Sequence, residues 1–404
     1  MIAIGDELTT GQRLDTNSQW LSQRLTEMGV QVVFHTTIAD DLDDNIAAFR
    51  IAIERVDIVV STGGLGPTAD DLTRDSIAQA TGTQLVRDEQ SLAHIKNLFA
   101  SRGREMPECN AVQADFPQGA DAIFNPNGTA PGIELSVTRA DDKQCTVFAL
   151  PGVPAEMHEM WEATVAPCVR SLQPEPRVMR HRRIHCFGVG ESALEAMLPD
   201  LIARDRQPRV GITASHATIT LRITATAADE ATCFASMEPT VATIYESLGN
   251  LVFGEEGEEL QHAVTGLLNE RGLTLAVGEW ATAGLVSEWM DELSPQANPF
   301  LSGRTLSNDD VQGGEVPHQA DFATSMAEAI RRETGADLAL AIGAFPPQAT
   351  GPDAHVSAAL AMPEQTRKFR FPCAAHPDIV RSRTAKQALN AIRLALLSAE
   401  IGRG

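Results

Sequence analysis

Residues 56–66 carry the sequence feature that most restricts the fold of this chain. The run Val56-Asp57-Ile58-Val59-Val60 is almost wholly apolar and leads into the glycine-rich segment Gly63-Gly64-Leu65-Gly66. A strand this apolar is typical of a parallel sheet that is covered on both faces. Further apolar runs at 29–38 and 145–150 alternate with helical patterns at 18–28, 43–55 and 72–81. This alternation predicts an α/β fold, with helices on both faces of a parallel sheet.

The length of the chain and an interruption of its periodic patterns predict three domains. The 404 residues exceed a single domain, because domains average roughly 150 residues. Residues 172–178 interrupt both periodicities and are interpreted as a linker. We expect domains at 1–171, 178–254 and 257–400, the second a small α+β module and the third another α/β unit. The first strand is short, so we also expect residues to precede Met1 in the natural chain.

The later domains show their own element patterns. In the second domain, the sequence predicts helices at 191–204 and 229–248 and an alternating strand at 218–225. In the third, it predicts a helix ending at Arg271, strands at 273–277 and 336–342, and a final helix at 379–397.

Charge and cysteine usage exclude several classes of protein. The formal charge of −22 opposes non-specific attraction to nucleic acid or to an anionic membrane. The six cysteines, at 109, 145, 168, 186, 233 and 373, show no CxxC spacing and are predicted to be reduced core thiols. The chain has no basic leader and no run of about 18 apolar residues, so we expect a cytoplasmic protein with no membrane partner.

The glycine-rich segment predicts an anion site. Thr68 and Asp71 match the Ser/Thr-x-x-Asp/Glu pattern that opens a helix. Amide groups freed by Gly63, Gly64 and Gly66, together with Thr68 and the helix dipole, would suit a phosphate. The alternative is a tight strand-to-helix connection whose acids only complement the dipole.

Acidic residues follow several of the predicted strands. Asp6, Asp40, the Asp70-Asp71 pair and Glu156 each come after an apolar run. In an open parallel sheet, the carboxyl ends of the strands face one crevice, where ligands bind. Carboxylates beside a phosphate repel it unless a divalent cation lies between them, so a hard metal ion such as Mg or Mn is expected. Such an ion suits cleavage of a pyrophosphate.

Five motifs resemble the CinA family. They are Ile-Gly-Asp-Glu-Leu at 4–8, Asp-Thr-Asn at 15–17, the glycine segment at 63–73, Asn-Gly-Thr-Ala-Pro-Gly at 127–132 and Leu-Pro-Gly-Val-Pro-Ala-Glu-Met at 150–157. The resemblance implies an N-terminal domain similar to molybdopterin-binding domains, a small middle module and a C-terminal CinA domain. It also implies metal-dependent hydrolysis of ADP-ribose to AMP and ribose 5-phosphate, with Mg, Mn or Co, and a homodimer.

The resemblance also implies roles for individual residues. Asp40 and Asp71 become the expected metal or catalytic carboxylates, and Asp70 is the added acid of the CinA version of the loop. Asn17 and Glu156 are expected at the rim, where they contact the nucleotide substrate together with Asp6. A different class of function stays open, in which this domain only binds a pterin or a nucleotide as part of a scaffold.

The third domain departs from the family pattern. Its loop at 278–284 carries Trp280 where the family has the serine of a nicotinamide mononucleotide deamidase. Leu306 and Val311 replace the family's Tyr and Lys, so the deamidase is predicted to be inactive, with residual activity as the alternative. Trp280 and Phe345 are expected to fill the pocket. The arginines at 381 and 383 are interpreted as surface charges.

Two other patterns are interpreted as structural. His181 and His185 lie on a predicted strand, about 13 Å apart at strand rise, which is too far for one metal ion. Met157, Met160 and Trp161 form an apolar helical stripe and are predicted to belong to the core.

Overall fold

The computed structural model describes most of the chain. The described residues are 1–173, 175, 177–202, 206–293, 298–306, 319–346, 354–373 and 376–398. They fall into two compact units, Met1–Met179 with Thr226–Cys233, and Arg180–Ala225 with Phe234–Gly404. The third predicted domain and most of the second fall in the second of these units, whereas residues 178–179 and 226–233 fall in the first. The boundary between the second and third domains stays a prediction.

The first unit is built on a six-stranded sheet in the order β2-β1-β3-β8-β7-β6. Its strands, with a separate pair formed by β4 and β5, are β1 (Ile2–Ile4), β2 (Thr36–Ile38), β3 (Ile58–Thr62), β4 (Leu85–Arg87), β5 (Asp115–Pro117), β6 (Asp121–Ile123), β7 (Gly132–Thr138) and β8 (Gln144–Leu150). Strands β2, β1, β3 and β8 run parallel, whereas β7 and β6 are antiparallel to their neighbours. The predicted α/β class is confirmed, with an antiparallel edge.

Helices cover both faces of this sheet. They are α1 (Asp6–Thr9), α2 (Thr16–Glu27), α3 (Leu42–Arg55), α4 (Thr73–Thr81), α5 (Glu89–Ser101), α6 (Pro154–Met160) and α7 (Ala166–Ser171), with a 3₁₀ helix at Glu108–Ala114 and a π turn at Trp161–Val165. One core joins Phe49 and Ile77 to the sheet, and the other joins Leu21, Met157 and Trp161 to it. Two separate cores explain why β3 is apolar on both faces. The prediction that 157, 160 and 161 are core residues is confirmed.

The second unit contains two further sheets. The first has the order β10-β11-β9-β12 and is formed by β9 (Val178–Cys186), β10 (Arg209–Ser215), β11 (Thr218–Ala227) and β12 (Val252–Glu255). It is accompanied by α8 (Glu191–Met197), α9 (Glu230–Leu248) and a 3₁₀ turn at Gly249–Leu251. Helix α8 was predicted to run to 204, but it ends at Met197 because Pro199 disfavours helical geometry at Leu198.

The last sheet has the order β14-β13-β15-β16-β17. Its elements are β13 (Leu275–Glu279), β14 (Phe300–Thr305), β15 (Leu338–Ile342), β16 (His355–Ala361) and β17 (Thr366–Pro372), with α10 (Leu260–Arg271), α11 (Leu285–Asp291), α12 (Ala320–Thr334) and α13 (Pro377–Leu397). Sequence patterns did not indicate β10, β14, β16, β17, α11 or α12. Within the described part of the chain, no helix is long and apolar enough to cross a membrane.

The structure tests the predicted positions of two histidines and of the cysteines. His181 and His185 lie on β9, as predicted, and their Nδ1 atoms contact the hydroxyls of Thr224 and Thr220 at 3.0 Å. The six cysteines, all within the described residues, form no disulfide, but Cys109 is exposed, so the prediction that every thiol is a core residue is wrong there. Cys109 lies in the 3₁₀ helix Glu108–Ala114.

Candidate functional site

A cleft of about 570 Å³ lies at the carboxyl ends of β1, β2, β3 and β8. Its lining comprises Ile4, Gly5, Glu7, Arg13, Asp40, Gly63, Gly64, Leu65, Gly66, Pro67, Asp70, Asp71, Gln113, Thr129, Ala130, Pro151, Gly152, Val153, Pro154 and Glu156. Seven of the predicted site residues are in this lining: Asp40, Gly63, Gly64, Gly66, Asp70, Asp71 and Glu156. Asp6, Asn17 and Thr68 lie next to the cleft without lining it. The parallel strands thus bring carboxylates and the glycine loop to one place.

Asp6 and Asp40, at the ends of β1 and β2, form reciprocal hydrogen bonds between backbone amides and side-chain carboxylates. The backbone amide of Asp6 donates to Oδ2 of Asp40 at 2.9 Å, and the amide of Asp40 donates to Oδ1 of Asp6 at 3.1 Å. Burial, followed by the negative charges of Asp6, Asp70 and Glu7, raises the pKa of Asp40. The structure therefore concentrates negative charge around one carboxylate, which a bound cation would relieve.

The Asp71 carboxylate closes the glycine loop upon itself. Oδ1 accepts from the amide of Gly66 at 2.7 Å, and Oδ2 accepts from both the amide of Thr68, at 2.9 Å, and the Thr68 hydroxyl. A Cβ atom on Gly66 would lie 2.3 Å from Asp71 Oδ2, so only glycine permits this approach. Asp71 therefore positions the loop in this structure, and its role as a metal or catalytic carboxylate stays a prediction.

These hydrogen bonds correct the view that the glycine loop leaves its amides free. The amide of Gly63 donates to the Leu150 carbonyl at 3.1 Å, and those of Gly66 and Thr68 donate to Asp71. Phosphate binding by these three amides would require the loop to open. Gly64, whose φ is +63°, is the predicted phosphate-binding residue that does not take part in these bonds.

The predicted capping role of Thr68 and Asp71 is also corrected. Helix α4 begins at Thr73, its N-cap position is Leu72, and no side chain caps it. Thr68 and Asp71 pair within the loop because the chain makes a further turn before it becomes helical. The Thr68 hydroxyl also lies within reach of the exposed Asp70 carboxylate, and this contact holds the pKa of Asp70 below its ordinary value.

Two residues that sequence reasoning missed donate hydrogen bonds to backbone carbonyls of the glycine loop. The buried Arg74 guanidinium donates to the carbonyls of Leu65, at 2.5 Å, and Gly66, at 3.2 Å. Burial lowers its pKa to about 10, so it stays charged near neutral pH. Gln113 Nε2 donates to the Leu65 carbonyl at 3.3 Å. No sequence pattern marks Gln113, because it comes from a 3₁₀ helix rather than a strand end.

The predicted rim residues tie neighbouring loops together. Asn17 Nδ2 donates to Thr62 Oγ1 at 3.0 Å and to the Gly152 carbonyl at 2.9 Å, linking α2 to the ends of β3 and β8. Glu156 Oε2 accepts from the buried Asn125 at 2.7 Å. Arg13, another residue that sequence reasoning missed, adds a positive charge to the lining.

The donor set fits a divalent cation only in part. Among the described residues, no group of three or more His, Cys, Asp or Glu side chains is arranged to hold a metal ion. Carboxylates are nevertheless hard oxygen ligands, and Mg²⁺ usually binds one or two of them together with water and substrate phosphates. The Asp40 carboxylate fits this incomplete type of site.

The loop after β13 has the altered residues expected of the third domain. Trp280 is half-buried and packs edge-to-face on Phe322, with ring centroids 6.1 Å apart. Leu306 is buried in the same cluster, and Phe345 packs on the neighbouring core. Val311 lies outside the described residues.

Arg381 has a role that the sequence prediction did not include. It is exposed, as predicted, and its guanidinium also donates to the carbonyls of Thr282 and Ala283 at 2.7 and 2.9 Å, so it anchors the altered loop. Arg383 takes part in interactions as well.

Comparison with known proteins agrees with this architecture. Residues 1–171 match a family described as a probable molybdopterin binding domain, and residues 181–254 match the damage-inducible protein CinA KH domain. A CinA-like protein from Geobacter metallireducens is 34% identical, over 98% of this chain and 99% of its own length. A CinA-like protein from Frankia casuarinae is also 34% identical, over 92% of this chain and 90% of its own length.

Solved structures are also similar to part of the chain. The crystal structure of a CinA protein with unknown function from Thermoplasma acidophilum shares 37% identity and covers 41% of this chain and 94% of its own, with a TM-score of 0.37. The relatives cover nearly all of this chain and are more than 30% identical to it. The chain therefore belongs to the CinA family, with a molybdopterin-binding-type domain at its N-terminus.

Proposed function

We propose that the cleft of the first unit hydrolyses ADP-ribose to AMP and ribose 5-phosphate with the help of Mg, Mn or Co. The observation that carries this proposal is the Asp40 carboxylate, which lies beside the glycine loop among the charges of Asp6, Glu7 and Asp70. A bound divalent ion would neutralise this charge, polarise a phosphoryl oxygen and lower the pKa of a water molecule.

The residues of the cleft have different roles in the proposed reaction. Asp40 has one carboxylate oxygen on the Asp6 amide and directs the other toward a cation in this proposal. Asp70 orients the attacking water, Gly64 and Arg13 bind phosphate oxygens, and Asp71 keeps the loop closed. Water adds to one phosphorus, the bridging P–O bond breaks, and the proton of the water leaves to solvent.

Product analysis tests this proposal. The protein is incubated with ADP-ribose and each of the three ions, and AMP is measured by chromatography. We expect AMP to form, with rates at least tenfold lower for Asp40→Asn and Asp70→Asn. Asp43→Asn is the matched control, because Asp43 is an exposed acid in the first turn of α3 and does not line the cleft. No AMP with any of the ions, or equal rates in all variants, refutes the proposal.

A second function is favoured by the closed state of the glycine loop. Asp71 occupies the amides of Gly66 and Thr68, and no three-ligand metal set exists among the described residues. These observations favour a domain that only binds a pterin or a nucleotide. Calorimetry separates the two functions: binding that is independent of metal, without turnover, supports the scaffold. Sedimentation tests the homodimer that the family likeness implies.

A further inference from the structure

The middle of the chain carries a local excess of positive charge. Residues 177–225 contain eight arginines and four acidic residues, whereas the whole chain has a formal charge of −22. Three of these arginines, Arg183, Arg209 and Arg222, are exposed and lie on the neighbouring strands β9, β10 and β11. This surface belongs to the second unit and takes no part in the proposed hydrolysis.

The three arginines share the open face of their sheet. Along β11, exposed Arg222 alternates with buried apolar neighbours, so its side chain lies on the face away from the core. The ladder between β10 and β11 pairs Gly211 with Arg222 and Arg209 with Thr224. Because directly opposite residues share a face, Arg209 and Arg222 are diagonal neighbours on it.

Two of these arginines oppose each other across adjacent strands. The histidine–threonine contacts of β9 and β11 fix the register of these strands. Arg183 lies midway between His181 and His185, and Arg222 lies midway between their threonine partners, so the two arginines are opposite. Like charges in this position destabilise a sheet. Burial, followed by the charge of Arg183, accordingly lowers the pKa of Arg222.

The neighbouring groups offset this repulsion only in part. The Glu256 carboxylate lies 3.7 Å from the Arg183 guanidinium, at the margin of an ion pair. Arg222 Nη2 instead donates to Nε2 of His181 at 2.7 Å, which is a neutral partner. Burial, followed by Arg222 and two further arginines, lowers the pKa of His181 to about 4, so the imidazole carries no charge near neutral pH. An anion between the arginines would therefore relieve their repulsion.

The hydrogen bonds of His181 leave a donor beside Arg222. Since its Nε2 accepts from Arg222, the ring proton is on Nδ1 and is donated to the Thr224 hydroxyl. The hydroxyl hydrogen of Thr224 can then be donated to a ligand, together with the other N–H groups of Arg222.

Gly211 leaves open space at the same place. A Cβ atom on Gly211 would have no heavy atom within 4 Å apart from its chain neighbours, so the surface beside Arg222 is uncovered. The next pair along this ladder is Thr213 with Thr220, and Thr213 is exposed. The face thus offers guanidinium groups that suit a phosphate and, next to them, a hydroxyl that suits a polar group attached to it.

We propose that this face binds a small phosphorylated sugar, with its phosphate over Gly211 among the three exposed arginines and its sugar hydroxyls at Thr213. Guanidinium groups bind phosphate through two parallel hydrogen bonds, and the Thr224 hydroxyl adds a further donor. A small ligand is favoured over a nucleic acid, because the charge of −22 repels a long polyanion. A small ligand meets mainly the local positive charge, since screening acts over about 8 Å.

Site-resolved titration tests this proposal. Ribose 5-phosphate, inorganic phosphate and ribose are added separately to the full chain, and the amide signals of Gly211 and of Gly64 in the cleft are followed by NMR. We expect ribose 5-phosphate to shift the Gly211 signal at lower concentration than inorganic phosphate, and ribose to leave it unchanged. Arg222→Gln should weaken binding about tenfold. Arg332→Gln, which removes an exposed arginine of α12, should bind like the parent.

Thermal unfolding tests the repulsion independently. Arg183→Gln removes one of the two opposed charges, so its unfolding midpoint in phosphate-free buffer should exceed that of the parent. A lower midpoint would show that the arginines do not repel each other, which removes the reason for an anion at this place.

Other results also overturn the proposal. A Gly211 signal that ribose 5-phosphate does not shift, or an equal response in Arg222→Gln, means that the face holds no phosphate. Equal affinity for inorganic phosphate assigns the face to the free ion, and tighter binding of a single-stranded oligonucleotide assigns it to nucleic acid. Production of AMP from ADP-ribose should be the same in Arg222→Gln and the parent, so failure of this proposal is distinct from failure of the proposed hydrolase.

Discussion

Replacing Asp71 tests whether the glycine loop is closed by its own carboxylate. Asp71→Ala removes three hydrogen bonds, two from backbone amides and one from the Thr68 hydroxyl. Hydrogen bonds to a charged group contribute about 1.5–3 kcal/mol each when shielded, and those at the exposed Thr68 contribute less. We therefore expect the free energy of unfolding of the first unit to fall by about 2–4 kcal/mol.

Asp71→Asn and Asp75→Ala provide graded controls. The Asn side chain keeps one acceptor oxygen, so we expect about half of the loss. Asp75 lies exposed in the first turn of α4, and its replacement removes the same charge without touching the loop. Its cost should stay within about 1 kcal/mol, the usual strength of an acid near a helix N-terminus.

Urea titration and hydrogen exchange measure the two consequences. Urea titration gives the free energy, and exchange of the Gly66 and Thr68 amides reports whether the loop has opened. Both amides should lose protection in Asp71→Ala and keep part of it in Asp71→Asn. A loss below about 0.5 kcal/mol with full protection in Asp71→Ala would show that the loop holds its shape without this carboxylate.

Two further predictions concern other parts of the chain. Burial and then Arg222 lower the pKa of His181 to about 4, so between about pH 4 and 6.5 the unfolded chain binds more protons than the folded chain. The free energy of unfolding should therefore rise by about 1–2 kcal/mol as the pH increases across that range. In urea titrations at several pH values, His181→Gln should flatten this dependence. Gly128→Ala places a Cβ 2.0 Å from Glu156 Oε2 and should cost about 1–3 kcal/mol in thermal melts, whereas Gly152→Ala, with only a 3.6 Å contact, should cost little. Equal melting points in the two glycine variants would contradict the second prediction.

Strand β2 shows what local patterns predict and where they stop. Residues 29–38 have the apolar character of a strand, but only Thr36–Ile38 form one. A strand requires a partner, and β1 reaches only far enough to pair with these three residues. The side chains at 30 and 32 are partly buried against the core, whereas Val33 and Phe34 are about half exposed. The apolar run therefore indicated some packing, while the available partner decided the hydrogen bonding.

In the cleft as well, the sequence predicts the position of some residues but not the contacts of others. Asp40 and Asp70 could be placed from the sequence because they follow strands whose carboxyl ends must meet. The engagement of Asp71 could not, since the capping pattern at 68–71 is equally compatible with a helix start and with a closed loop. Arg74 reaches the loop from within α4, where spacing alone predicts only that a residue is helical.

Trp280 allows the predicted loss of deamidase activity to be tested directly. Trp280→Ser restores a hydroxyl but removes the packing on Phe322, at a cost of about 1–3 kcal/mol for a half-buried ring. We expect no ammonia from nicotinamide mononucleotide, because Val311 supplies no cation. In addition, the buried Glu279 carboxylate already accepts hydrogen bonds from the Val286 amide and from both the amide and the hydroxyl of Ser287. Its two oxygens cap α11 and are not available to activate a new serine. Steady ammonia release from this variant would show that the loop anchored by Arg381 kept a working site and lost only its serine.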